Sequence, residues 1–137
     1  IATDAETLTG TDATRAVSPA GLTSVYSTIR SIPQNSKSAA YTLVLADAGK
    51  HIYHPGADTT ARIWTIPANA SVAYPIGTAI TFVNDTSGGV ITIAITSDVL
   101  VLSPDGTTGS RSLAANGIAT CIKMTATRWM ISGSGLT

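Results

Sequence analysis

The chain has 137 residues, 44% of them hydrophobic and only 12% charged, with a formal net charge of zero. A neutral chain lacks the basic face that displaces counterions from nucleic acid, and the polybasic segments that hold a protein to an anionic membrane. No apolar run approaches the roughly 20 residues of a membrane-spanning helix, so insertion into a bilayer is not expected either.

So much apolar content with so little charge leaves a single copy close to precipitation, and burial of part of that surface between subunits relieves the tension. The composition therefore leans toward an oligomer. The length suits one compact domain with a short appendage. The chain opens at Ile1 without a start methionine or a charged-then-apolar leader, and is expected to be a piece of something longer.

Residues 1–16 are small and polar, and read as an extended or loosely helical linker. Ser18-Pro19 then signals a helix start: a hydroxyl to cap free N–H groups, and a proline that loses nothing in the first turn. Leu22, Val25, Ile29 and Ile32 follow in steps of three, four and three, which is a heptad seam. Two placements fit this stripe. It packs on the chain's own β body, or it forms a short parallel three-stranded neck, which β-branched seam residues favour over a dimer. Pro33 is expected to end the helix, and 34–38 to form a polar hinge. The division is thus a linker and neck over 1–37 and a head over 38–137.

From Ala39 the period becomes two. Tyr41, Leu43 and Leu45 alternate with Thr42, Val44 and Ala46. Ile80 and Phe82 alternate with Thr81 and Val83, and Ile91, Ile93 and Ile95 with Thr92, Ala94 and Thr96. Near the end Ile118, Thr120, Ile122 and Met124 face away from Ala119, Cys121 and Lys123. Breakers such as Asp47-Ala-Gly49, His54-Pro-Gly56, Ser87-Gly-Gly89 and Asn116-Gly117 separate these runs. Short β-branched runs with frequent turns predict a mostly β head, an antiparallel sandwich or jelly roll. Threonine on the outer strand faces offers water a hydroxyl without charge. Turn spacing is irregular, which argues against a solenoid or β-helix.

Little of the sequence suggests catalysis. Glycan hydrolysis needs two carboxylates at a controlled separation. Glu6 is the only glutamate, and Asp47, Asp58, Asp85, Asp98 and Asp105 fall in or beside turns, where aspartate serves local hydrogen bonds. His51 and His54 are three apart on a strand and face opposite sides, so they cannot share a metal within one chain. One histidine from each of three chains on an axis remains open. The Gly106–Arg111 stretch lacks the lysine of a phosphate cradle, and no Gly-x-Ser-x-Gly elbow is present. No cofactor is expected. Cys121, the sole cysteine, reads as a small buried side chain. Trp64 and Trp129 are expected to anchor the core or a subunit contact. Tyr53 and Tyr74 border turns and are the candidates for surface contact.

The segment ATDAETLTGTDATRAVSPAGL resembles a junction in tailed-bacteriophage and prophage tail fibre proteins, through Ala2-Thr3, Glu6, Gly10-Thr11, Arg15-Ala16-Val17-Ser18-Pro19 and Leu22. YTLVLADAG at 41–49, WTIPAN at 64–69, GTAITFVN at 77–84, LAANG at 113–117 and RWMISG at 128–133 resemble the C-terminal β domains of such proteins. The resemblance implies a homotrimer at the distal end of a virion's fibre, with the rest of the fibre on its N-terminal side. It also implies attachment to a host surface glycan or outer-membrane protein. It assigns no binding residue. Two rival readings stay open: a purely structural trimerising module, and a glycan-degrading tail enzyme.

Overall fold

A computed structural model describes residues 1–3, 5 and 14–137. Two compact units make up the chain, Ile1–Ile32 and Pro33–Thr137. Glu6, Leu8, Gly10 and Thr11, part of the expected linker and of the junction resemblance, lie outside the described residues.

In the first unit, α1 spans Pro19–Thr28. Ser18 caps it as expected: its extended backbone leaves the side-chain oxygen free to accept from Gly21 N–H at 3.0 Å. The helix stops short of Pro33. Ile29 forms the C-cap, its N–H donating to Val25 O, so α1 carries only Leu22 and Val25 of the seam. The Ser-Thr-Ile sequence at 27–29 supplies residues of middling helix propensity, which do little to extend a short helix.

The second unit is mostly strand, in a curled open sheet of nine strands. They are β1 (Gln34–Ser36), β2 (Tyr41–Thr42), β3 (His51–His54), β4 (Arg62–Ile66), β5 (Ala79–Asn84), β6 (Ile91–Ile95), β7 (Val99–Leu102), β8 (Arg111–Thr125) and β9 (Arg128–Leu136). The expected polar hinge is therefore strand at 34–36. The strand expected over 41–46 ends at Thr42 and yields to a 3-10 turn at Leu45–Asp47.

The pairing departs from an antiparallel sandwich. β1, β3 and β5 form one parallel ladder, and β2, β4 and β6 another. Three successive segments of chain thus each give one strand to each ladder, the connectivity of a short β-solenoid. The expectation against a solenoid rested on the missing repeat, and the register explains why it is missing. Partners lie 17 and 30 residues apart in one ladder (Gln34 with His51, His51 with Thr81) and 23 and 29 in the other (Tyr41 with Trp64, Trp64 with Ile93). Loop length, not strand geometry, sets the spacing.

β8 closes the arrangement. Its first residues pair antiparallel with β6 and its later ones with β5, so a single strand spans both ladders. It bends between these halves at Asn116, whose φ is +61°, and Gly117, where an added Cβ would lie 2.6 Å from Ala114 O. β9 then returns antiparallel to β8, and β7 lies parallel to β9.

Inward residues share one core: Leu43, Ile52, Trp64, Ile66, Ile80, Phe82, Ile91, Ile93, Leu100, Leu113, Ala119, Cys121, Trp129 and Ile131. Trp64 sits near its centre, fully buried, with its indole N–H donating to Ala39 O at 3.2 Å and its ring 6.2 Å from Phe82. Trp64→Ala is expected to cost about 3–5 kcal/mol of unfolding free energy. Urea titration of the full chain measures it, and a loss under about 1 kcal/mol would place the tryptophan outside the packing described.

Candidate interaction surface

The outer face of β3, β5, β8 and β9 is built in transverse rows, because register partners point the same way. One row is His51, Thr81, Thr120 and Ser132, and the Thr81 and Thr120 hydroxyls meet at 2.8 Å. The next is Tyr53, Val83, Ile118 and Ser134. On the other side Ile122 pairs with Met130, and with Thr120, Met124, Ser103 and Ser132 they line a shallow groove. None of these residues is Asp, Glu, Lys or Arg. Ile118, Ile122 and Met124 stand 44–50% exposed. The face is hydroxylic and apolar, with nothing to steer a charged ligand.

At one edge of this face the loops after β3 and β5 stack in the manner of the strands they follow. Asp85 N–H donates to His54 O and Gly89 N–H to Asp58 O, at 3.1 Å each. Side chains reinforce the stack. Buried His54 presents Nδ1 to Asn84 Oδ1 at 2.9 Å and Nε2 to the Asp58 carboxylate at 3.0 Å. Asn84 spends its amide N–H groups on Gly89 O and Leu113 O, so its oxygen is what the histidine meets. Arg62 grips Asp58 through Nε and Nη2 at 2.8 and 3.1 Å. The Arg62 bonds, then that of His54, hold the Asp58 carboxyl far below the usual carboxylate range.

Close packing of these loops needs two glycines. A Cβ on Gly88 would fall 2.3 Å from Asn84 Oδ1, and one on Gly89 2.3 Å from the Thr60 carbonyl carbon. Nothing in the sequence had flagged Asp58, Arg62 and Asn84 as a unit. The one available signal was the Gly-Gly pair, which a simple turn does not require.

Tyr53 is partly exposed, and its hydroxyl donates to the Asp85 carboxylate. That bond raises the phenol's pKa, and lowers that of Asp85, which also accepts from Thr86 N–H. Tyr74 is placed differently from the expectation. It is buried, its hydroxyl donates to Val44 O at 2.6 Å, and its ring stands edge-on to Trp129 at 5.5 Å. A turn-adjacent position gave it access to the core, so it is no surface contact residue.

The remaining expectations divide. Trp64 and Trp129 lie in the core. Cys121 is buried, and desolvation pushes its thiol up to about 12. On β3, His51 lies outward, its ring nitrogen 3.1 Å from Gln34 Nε2, while His54 points inward, so the pair cannot chelate. In the first unit Leu22, Ile29 and Ile32 are 51–67% exposed.

No family model, no curated protein and no solved structure matches the chain.

The depressed Asp58 and Asp85 carboxyls fix the sign of the acid response. The unfolded chain takes up protons at these groups first, so their contribution is complete above the ordinary aspartate value of about 4 and is lost as pH falls below it. Urea midpoints are expected to decline from pH 5 toward pH 3, and Asp58→Asn to shallow that decline. An unaltered slope in the variant would show that the Asp58 bonds are not maintained in solution.

Proposed function

We propose that this chain is the distal part of a phage tail fibre, a homotrimer whose first unit gathers the three copies and whose β head meets the bacterial surface. The residue resemblance in the junction and in the strand segments motivates the reading. The observation that carries it is the apolar surface a single copy leaves in water: Leu22, Ile29 and Ile32 in the first unit, and Ile118, Ile122 and Met124 on the head. Full burial of one such aliphatic side chain contributes about 1.5–3 kcal/mol. A chain of zero net charge offers no electrostatic opposition to association.

In this reading Leu22 and Val25 on α1 begin a parallel seam, and Ile29 and Ile32 continue it beyond the helix. The two ladders of the head act as the layers of a sandwich around one core. Adhesion, not catalysis, fits the carboxylates. Asp47, Asp58, Asp85, Asp98 and Asp105 each accept hydrogen bonds from nearby loop or strand groups. Three weak sites held on one axis gain strength from effective concentration alone.

Tyr53 is the remaining aromatic candidate for contact with a host glycan or outer-membrane protein. Its hydroxyl is already committed to Asp85, which favours a second reading: a structural module that trimerises and caps the fibre while another chain touches the host.

Light scattering of the purified chain is expected to give three times the 13.9 kDa of one copy, and Leu22→Asp with Ile29→Asp to lower that mass. A freely soluble single copy at high concentration would end the trimer reading. Binding of the fluorescent chain to host cells separates adhesin from cap: an intact trimer that labels no host cell supports the cap.

A further inference from the structure

Lys123 is out of place for a lysine. It lies on β8 with its side chain inward, 1% exposed, among Cys121, Trp129 and other core residues. No carboxylate pairs with it among the described residues. Its Nζ has one hydrogen-bond partner, Asn69 Oδ1 at 2.5 Å, and lies 5.6 Å from the centre of the Trp129 ring. The surroundings are poor in acceptors: the buried Trp129 indole N–H has no hydrogen-bond partner among the described residues. Buried lysines are ordinarily paired, and this one faces a carboxamide.

The backbone that carries the carboxamide is held in place. Asn69 opens the turn after β4, closed by Ser71 and Val72 N–H groups donating to Ala68 O. Its own backbone N–H donates to Asp98 Oδ2 at 3.0 Å. A carbonyl bond of about 1.23 Å puts Asn69 Cγ within about 3.7 Å of Lys123 Nζ, near the reach of an attacking nucleophile. An amine kept from water is a better nucleophile than a hydrated one.

We propose that Lys123 and Asn69 are the partners of an intramolecular isopeptide bond formed after folding. The Nζ lone pair attacks Cγ and a Cγ–Nζ bond forms. The Cγ–Nδ2 bond breaks, and Nδ2 departs as ammonia with a proton taken from Nζ, or as ammonium if the lysine starts protonated. One amide replaces another, so no oxidant, metal or energy source is consumed. The cross-link ties the β4–β5 loop to β8 across 54 residues of sequence. It restricts the unfolded chain as a disulfide would, with no need of a second cysteine. It does not depend on the fibre reading.

Intact-mass spectrometry of the folded, full-length chain tests the bond. The wild type is expected to fall short of its sequence mass by one ammonia, about 17 Da, and Lys123→Arg and Asn69→Ala to show their full masses. A protease digest is expected to yield a branched peptide joining the segments around Asn69 and Lys123. Full mass for the wild type after prolonged incubation overturns the proposal. So does a 17 Da loss that persists in Lys123→Arg, as cyclisation at Asn116-Gly117 would give. Mass is read on denatured protein, so a variant that folds poorly leaves the wild-type result decisive.

Discussion

Main-chain hydrogen bonding between successive passes of the chain is the constraint on which the head depends. A strand of two to six residues buries little by itself, and its N–H and C=O groups must find partners if its inward side chains are to leave water. Here each pass finds them in the pass before and the pass after, and β8 supplies them for both ladders at once. The register that satisfies the backbone also aligns Ile52 with Phe82 and Ala119, and Trp64 with Ile93, so core packing and ladder pairing are one event. The outermost strands are short: β1 has three residues, β2 two and β7 four. Brief edges of this kind give a stray strand little to pair with.

Polar interactions settle what the ladders leave open. Asp47 is buried, and accepts from Asn35, from the Tyr41 hydroxyl and from Val44 N–H, at 2.8, 2.8 and 2.9 Å. It thereby fastens β1, β2 and the 3-10 turn of the first pass to one another. Asp58 and Asn84 do the same for the loops of the second and third. Each such group would be costly if orphaned, so these networks select one loop arrangement among the many that a hydrophobic core would tolerate.

Much of this was legible in the residues, and what was not has physical causes. Period-two alternation located β5, β6 and the later part of β8, and set Ala119, Cys121 and Lys123 on the opposite face from Ile118, Ile122 and Met124, the first set proving to be the inward one. Alternation is the same in parallel and antiparallel sheets, so it could not reveal the pairing. Loops of unequal length erased the repeat. The heptad stripe at 22–32 persists where the helix does not, because spacing records which residues are apolar and says nothing of where the backbone turns away. Tyr74 was misplaced by its neighbours: Pro75 and Gly77 mark a turn, yet the ring points back onto Trp129. The loop network escaped notice because Asn84 comes from a later pass than His54, Asp58 and Arg62, and joins them only after folding.

The distribution of charge joins the fold to the proposed assembly. A chain with few ionisable groups would be expected to keep them in water, where they aid solubility. Instead Asp47 and Lys123 are fully buried, and Asp98 and Asp58 nearly so. Charge spent inside on loops and turns cannot coat the outside, and threonine and serine hydroxyls take its place on the outer rows. Such a surface is wettable yet imposes little desolvation cost when covered, since a hydroxyl gives up less hydration than a carboxylate or an ammonium. The same economy that leaves one copy poorly protected in water makes contact with further copies, or with an uncharged polar partner, inexpensive.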